Sequence, residues 1–111
     1  MGHNLMDEIM RLSDVLDVAG ELQWSDALYL PINTAFTLNT PAIVYDPDDV
    51  VDDGQETPVF PSENGMVYVL GINTVQEILS NLNQQKPECT ADDKLKALNH
   101  YVLNDAFICL N

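Results

Sequence analysis

The side chains with the clearest capacity for chemistry are six carboxylates concentrated in residues 46–56. They are Asp46, Asp48, Asp49, Asp52, Asp53 and Glu56. Carboxylates at this density can ligate a hard cation, transfer protons, or present negative charge where a nucleic acid would present phosphates. These three chemistries require different spacing, so the neighbouring residues discriminate between them.

A calcium-binding loop is the most specific of these chemistries, and the sequence fails its pattern. Gly54, which lies among acidic residues, superficially matches the glycine of an EF-hand loop. That alignment places Val51 at a ligand position and Phe60 where the closing glutamate belongs, and neither side chain can bind calcium. We therefore predict no metal site and no cofactor.

The sequence also lacks the convergent residues that catalysis requires, such as a nucleophile with a nearby base or a glycine-rich phosphate loop. Carboxylates crowded in a loop are usually solvated rather than fixed at the separation that glycoside hydrolysis requires. His3 and His100 have no catalytic neighbours. Cys89 and Cys109 lack zinc or redox spacing, so we expect two reduced thiols, with Cys109 buried. We predict that the protein is not an enzyme, although a small enzyme or metal-binding module built on the carboxylates is a rival hypothesis.

The charge is distributed as unevenly as the carboxylates. The chain has 18 acidic and 4 basic residues, a net charge of -14, and no basic residue between Arg11 and Lys86. Phosphate contacts require lysine and arginine, so this composition disfavours direct binding of nucleic acid. So many charges of one sign repel each other and destabilise the folded state. A functional reason for keeping them would be a strongly basic partner or the exclusion of nucleic acid. Solubility or a salt-rich cytoplasm would explain the same charge without a partner.

A basic partner would need apolar contacts as well as charge, because buried anchors supply most of the affinity of a protein interface. Nucleases are basic where they hold phosphates, and carboxylates placed there would block the cleft and accelerate association. The aromatic candidates are Trp24, Tyr29, Tyr45 and Phe60. Tyr45 is assigned to the core, whereas Trp24 and Phe60 are candidate anchors for which a structural role is equally compatible.

Length and composition limit the architecture that must position these residues. A chain of 111 residues with 46% hydrophobic residues fits one domain and argues against general disorder. No apolar run approaches the roughly 20 residues that cross a bilayer, and the N-terminus lacks a secretory pattern. We expect a cytoplasmic protein without membrane contact, with residues 1–4 at a frayed end.

Apolar residues at helical spacing predict three helices. The first covers residues 5–19. The second begins at Asn73 or Thr74 and ends before Pro87. The third begins at a capping box between Thr90 and Asp93. Its buried face is expected to comprise Leu95, Leu98, Tyr101 and Val102.

Short apolar segments between these helices predict a small sheet. Strands are predicted over residues 27–30, 34–38, 42–45 and 66–70, the third of them central and the last buried. Residues 46–61 are predicted to form a long acidic loop, which in a compact domain is usually functional or disordered. Residues 106–110 are expected to add an edge strand or to dock on the core. The fold class is therefore α+β, with a mixed or antiparallel sheet of three to four strands in a single domain over residues 1–111.

Four segments together carry a resemblance to a known family. They are residues 24–31 (WSDALYLP), 46–49 (DPDD), 63–65 (ENG) before 68–71 (YVLG), and 104–107 (NDAF). Over roughly residues 9–108 the chain resembles the small acidic immunity proteins encoded beside bacterial polymorphic or contact-dependent growth inhibition toxins. The resemblance implies a cytoplasmic antitoxin that binds one cognate toxin domain, often a nuclease acting on RNA or DNA.

These families do not share binding residues, so the predicted site depends on the charge argument alone. We expect the six carboxylates to act as phosphate surrogates and Trp24 or Phe60 to act as an anchor. Whether the toxin's active site or a neighbouring surface is covered stays open. The alternative hypothesis is a DNA-mimic protein that sequesters a DNA-binding protein, and an adaptor domain is a further one.

Overall fold

The computed structural model describes residues 9–31, 36–48 and 59–109, in which an antiparallel sheet packs against helices. The strands are β1 (Met10–Arg11), β2 (Ala27–Pro31), β3 (Pro41–Tyr45) and β4 (Met66–Gly71), in the spatial order β1-β3-β2-β4. The helices are α1 (Leu12–Val18), α2 (Val59–Glu63), α3 (Ile72–Gln85) and α4 (Ala91–Asn104). The predicted α+β class is confirmed, and the sheet is antiparallel rather than mixed.

The two faces of the sheet are buried to different depths. The first face, which includes Leu28, Leu30, Ala42 and Val44, forms one core with buried residues of α1, α3 and α4. The second face has a smaller buried cluster, formed by Ala27, Tyr29, Ile43, Tyr45 and Met66, against which Phe60 of α2 packs. The larger hydrophobic contribution to stability therefore comes from the first face.

The first helix is shorter than its periodicity predicts. Residues 10–11 form β1 instead, pairing with β3, and the helix begins at Leu12. The N–H groups of Leu12 and Ser13 donate to the carbonyls of Thr40 and Leu38 at 2.8 and 3.0 Å. These non-local bonds satisfy donors that a helix N-terminus leaves free, so they fix the start of the helix where local periodicity does not. Residues 5–8 of the predicted helix lie outside the described part of the chain.

The central strands are confirmed, and the predicted strand at residues 34–38 is wrong for its described part. β3 lies between β1 and β2, as expected for the central strand. Phe36 to Leu38 are not in a strand, because Thr37 closes a turn in which its N–H donates to Thr40 Oγ1 at 2.7 Å. Residues 32–35 lie outside the described ranges.

The predicted burial of β4 is correct for Met66 but wrong for Val67 and Tyr68, because this strand lies at an edge of the sheet. The order of the strands gives it one neighbour, β2, within the described chain. Val67 is 39% exposed and Tyr68 is 54% exposed. An edge strand leaves side chains and one row of backbone groups accessible, which an apolar sequence alone does not reveal.

The two long helices match their predictions closely except at the start of α3. This helix has Gly71 as its N-cap, not Asn73 or Thr74, and its first amides donate to the carbonyls of Asp26 and Trp24. It ends at Gln85, before Pro87 as predicted. The N-cap of α4 is the predicted Thr90, in a reciprocal capping box with Asp93.

The buried face of α4 and the C-terminal segment differ in part from their predictions. Leu98 is fully buried and Leu95 and Tyr101 are half-buried, but Val102 is 37% exposed. Residues 106–109 form no strand. They dock instead, since Gln85 Nε2 donates to the carbonyl of Ile108 at 2.9 Å. Cys109 is exposed rather than buried because this segment runs along the surface.

Candidate functional site

The acidic segment that was predicted as a loop over residues 46–61 begins in a turn and ends in a helix. Asp46 follows β3 directly, and its Oδ1 accepts from the N–H of Asp48 at 2.9 Å. Residues 59–63 form α2 and not loop, with Pro61 early enough in the helix to be tolerated. Gly65, at a φ of 72°, makes the turn from α2 into β4.

Asp49, Asp52, Asp53 and Glu56 lie in residues 49–58, outside the described part of the chain. The described residues on either side of this segment nevertheless lie near each other. Tyr45, immediately before Asp46, contacts Phe60 of α2 with the ring centroids 5.9 Å apart. Both ends of the acidic segment therefore lie at the second face of the sheet.

A third carboxylate joins Asp46 and Asp48 at this end of the sheet. Ala27 pairs with Tyr45, so Asp26 and Asp46 lie at neighbouring strand ends. Partial burial raises the pKa of Asp26, and the charge of Asp46 raises it further. We name Asp26, Asp46 and Asp48 the acidic rim. Sequence reasoning missed Asp26 because only the register of β2 against β3 brings it here.

The acidic rim acts electrostatically on Tyr29, a fully buried residue of the second face. Burial raises the pKa of Tyr29 to about 12, with Tyr68 and then the three carboxylates of the acidic rim adding to the shift. A phenolate at this position would face several negative groups at once. The carboxylates thus converge on one region of the molecule.

Replacing Asp46 by asparagine is expected to lower the pKa of Tyr29 from about 12 towards its ordinary value of 10.0. It should stay above that value, because burial is the largest cause of the shift and does not change. Ultraviolet absorbance of the phenolate measures the pKa. The Tyr29→Phe variant shows which part of the titration curve belongs to Tyr29. Asp92→Asn, in α4, changes the same charge elsewhere and should leave the pKa unaltered. An unaltered pKa in Asp46→Asn would contradict the coupling.

The same variant should change the alkaline stability of the protein. A folded pKa above the unfolded value means that the contribution of Tyr29 to stability is complete below pH 10 and is lost as the pH rises through about 12. In Asp46→Asn the folded pKa is lower, so the loss between those pH values should be smaller. Urea denaturation at several alkaline pH values measures it.

Exposed aromatic side chains lie beside the acidic rim. Tyr68 contacts Tyr29 edge-to-face, with centroids 5.9 Å apart and the planes at 88°. Its hydroxyl reaches Gly71, lying 3.5 Å from the point where a Cβ would be if this residue had a side chain. Gly71 pairs with Ala27, which is next to the acidic rim. Trp24 is 65% exposed in the turn before β2. Both rings are available for contact with a partner.

The remaining predicted aromatic residues have structural roles. Phe60 is half-buried against Tyr45, which agrees with the structural role that was one of its two predicted roles. Tyr45 is buried, as predicted. Tyr68 was not among the predicted contact residues. It lies in an apolar strand that was predicted to be buried, and its exposure depends on the position of β4 at an edge of the sheet.

Residues 9–110 match a family described as a domain of unknown function, DUF7716. The chain belongs to this family. The match includes every residue that the structure describes in this DUF7716 domain. No curated protein and no solved structure shows significant similarity to the chain.

Metal-ligating clusters and membrane-spanning helices were sought among the described residues of the DUF7716 domain. Across residues 9–31, 36–48 and 59–109, no three or more His, Cys, Asp or Glu side chains are grouped to hold a metal ion. Among the described helices, none is both long and apolar enough to span a bilayer.

One cavity lies away from the acidic rim. Its volume is about 320 Å³, and its lining includes Leu16 of α1, Leu79 of α3, Cys89 between α3 and α4, and Lys94 of α4. The thiol of Cys89 donates to the carbonyl of Lys86 at 2.7 Å. The lining includes one acidic residue, Asp17, and one basic residue, Lys94. The lining residues do not include a nucleophile with a neighbouring base.

Proposed function

We propose that this DUF7716 protein is a cytoplasmic immunity protein. It binds and neutralises a cognate basic toxin domain by covering the nucleic-acid-binding cleft of that domain with an acidic surface. The kind of toxin that this mode of inhibition fits best is a nuclease. It performs no catalysis and needs no cofactor for this role. The observation that carries the proposal is the acidic rim, where three carboxylates converge at the point from which the acidic segment departs.

The position of the acidic rim supports a binding role more strongly than the composition does. An acidic charge that served only solubility could be spread over the whole surface. Here Asp26, Asp46 and Asp48 lie together, although burial raises the pKa of Asp26 and the charge of Asp46 adds to the rise, so the ionised form of Asp26 is disfavoured. A basic partner would relieve this repulsion on binding. The four carboxylates among residues 49–58 are joined directly to this region.

The aromatic side chains supply the part of the affinity that charge cannot. Solvated ion pairs at a protein surface contribute little, whereas aromatic residues desolvated at the centre of an interface contribute most. Trp24 and Tyr68 are exposed beside the acidic rim and are suited to this role. The carboxylates would steer association, at rates up to about 10⁸ to 10⁹ M⁻¹s⁻¹ at low salt. Fast capture is the property that an inhibitor of a lethal enzyme requires.

Co-expression is expected to rescue cells from the C-terminal domain that is encoded immediately upstream of this chain. That domain should arrest growth when induced alone, and growth should resume when this protein is co-expressed. A toxin domain from an unrelated system serves as the control and should not be neutralised. Growth curves and purification of the complex provide the two readouts.

Toxicity without rescue, or no toxicity, would overturn the immunity function. A partner that instead lacks enzymatic activity and is displaced by duplex DNA would favour the alternative, a DNA-mimic protein.

A further inference from the structure

β4 forms one edge of the sheet that the structure describes. β4 pairs with β2 on one side, and none of the described strands pairs with it on the other. Six residues, Met66–Gly71, form the strand. The opposite edge of the sheet is the two-residue β1, which is too short to template another strand and ends in Arg11.

The composition of β4 departs from that of a guarded edge. Proteins usually protect edge strands with charged residues or proline, because the free N–H and C=O groups otherwise pair with another chain. Residues 66–71 contain neither, in a chain with 18 acidic residues. Val67 and Tyr68, adjacent in the strand and therefore on opposite faces, are 39% and 54% exposed. A bulge opposite Leu28 and Tyr29 is the one protective irregularity of the strand.

The charge distribution decides which kind of strand fits this edge. Gly71 pairs with Ala27, so the C-terminal end of β4 lies beside the acidic rim. A second copy of this chain would bring a net charge of -14 to an edge that is already negative, and repulsion opposes that pairing. An uncharged strand flanked by lysine or arginine would place its apolar residues along β4 and its basic residues at the acidic rim.

We propose that the toxin domain adds a strand to the outer edge of β4, with basic residues at the end that meets the acidic rim. This inference rests on the proposed immunity function and specifies its interface. Main-chain hydrogen bonds along Met66–Gly71 hold the added strand, and the exposed side chains of Val67 and Tyr68 select its apolar residues. The acidic rim fixes its direction and register.

Amide hydrogen exchange of the unmodified protein, free and bound to the upstream toxin domain, tests this geometry. The outward amides of β4 should exchange quickly in the free protein and become at least about tenfold slower in the complex. The amides of α4 serve as an internal reference that binding should leave unchanged. Slow exchange of all β4 amides in the free protein would overturn the inference, since the edge would already be paired.

A matched pair of variants tests the same edge by affinity. Val67→Lys places a cation on the edge, which opposes both strand addition and a basic partner, and should weaken binding by about tenfold or more. Gln84→Lys makes the same change in charge at an exposed position of α3 and should bind as the wild type does. Urea denaturation verifies that both variants fold, and the exchange measurement is independent of either variant.

The outcomes separate the two proposals. A complex that forms without protection of β4, or that tolerates Val67→Lys as well as Gln84→Lys, overturns strand addition and leaves the immunity function standing. A toxin domain that does not bind overturns both.

Discussion

Replacing Leu98 by alanine is expected to lower the free energy of unfolding by about 3 kcal/mol. Leu98 is fully buried in the core that α4 shares with α1, α3 and the first face of the sheet. Truncation removes apolar contacts and leaves a cavity that the surrounding helices can fill only in part. Because a domain of this size is stable by about 5–15 kcal/mol, the loss would be a large fraction of the total.

Leu103 provides the matched control for this prediction, because it lies in the same helix and is 82% exposed. Leu103→Ala should change the stability by no more than about 0.5 kcal/mol. Urea denaturation of the two variants, compared through the midpoint at a common slope, gives the difference. Equal effects of the two substitutions would contradict the packing of α4 against the core.

Neutralising four carboxylates of the acidic segment is expected to slow association with the proposed toxin partner by about tenfold or more at low salt. The variant replaces Asp48, Asp49, Asp52 and Asp53 by asparagine, which keeps the shape of each side chain and removes its charge. The rate should also depend less steeply on ionic strength, because fewer charges steer the encounter. Stopped-flow association at several salt concentrations measures both quantities.

A second variant with the same net charge shows whether the position of the charges matters. It replaces Asp17, Glu21, Glu77 and Glu88, all exposed and distant in sequence from the acidic segment, by their amides. If the acidic rim and segment form the interface, this control should slow association much less. Equal slowing in both variants would indicate a diffuse field, and no slowing in the first would remove the acidic segment from the interface.

Much of the fold follows from local signals. The apolar stripe of α3 and the capping box of α4 predicted these helices well because each has 14 residues, enough turns for periodicity to be unambiguous. The strands β2 and β3 were equally clear, since each is a short apolar run that is buried along most of its length.

The errors share a physical cause, which is backbone pairing between distant residues. The start of α1 is fixed by bonds from Leu12 and Ser13 to residues near position 40, and the start of α3 by bonds to Trp24 and Asp26. The exposure of β4 depends on its position in the sheet, which a strand's own sequence does not encode. Local patterns contain no information about such partners.

The candidate site, like the fold, was predicted correctly where local sequence is informative and missed where distant residues pair. The sequence predicted Asp46, Asp48 and Trp24 as site residues, and the structure finds all three exposed. Asp26 and Tyr68 were missed, because only strand register brings Asp26 beside Asp46 and only the edge position exposes Tyr68. The four acidic residues within 49–58 stay predictions.

The unequal depth of burial on the two faces of the sheet has an evolutionary consequence. The first face holds most of the buried core, whereas the three carboxylates of the acidic rim and the exposed side chains of Val67 and Tyr68 lie outside it. Substitutions at the rim can therefore accumulate without unfolding the protein, up to the margin of its stability. A domain built in this way can change its contact surface while its hydrophobic interior stays constant.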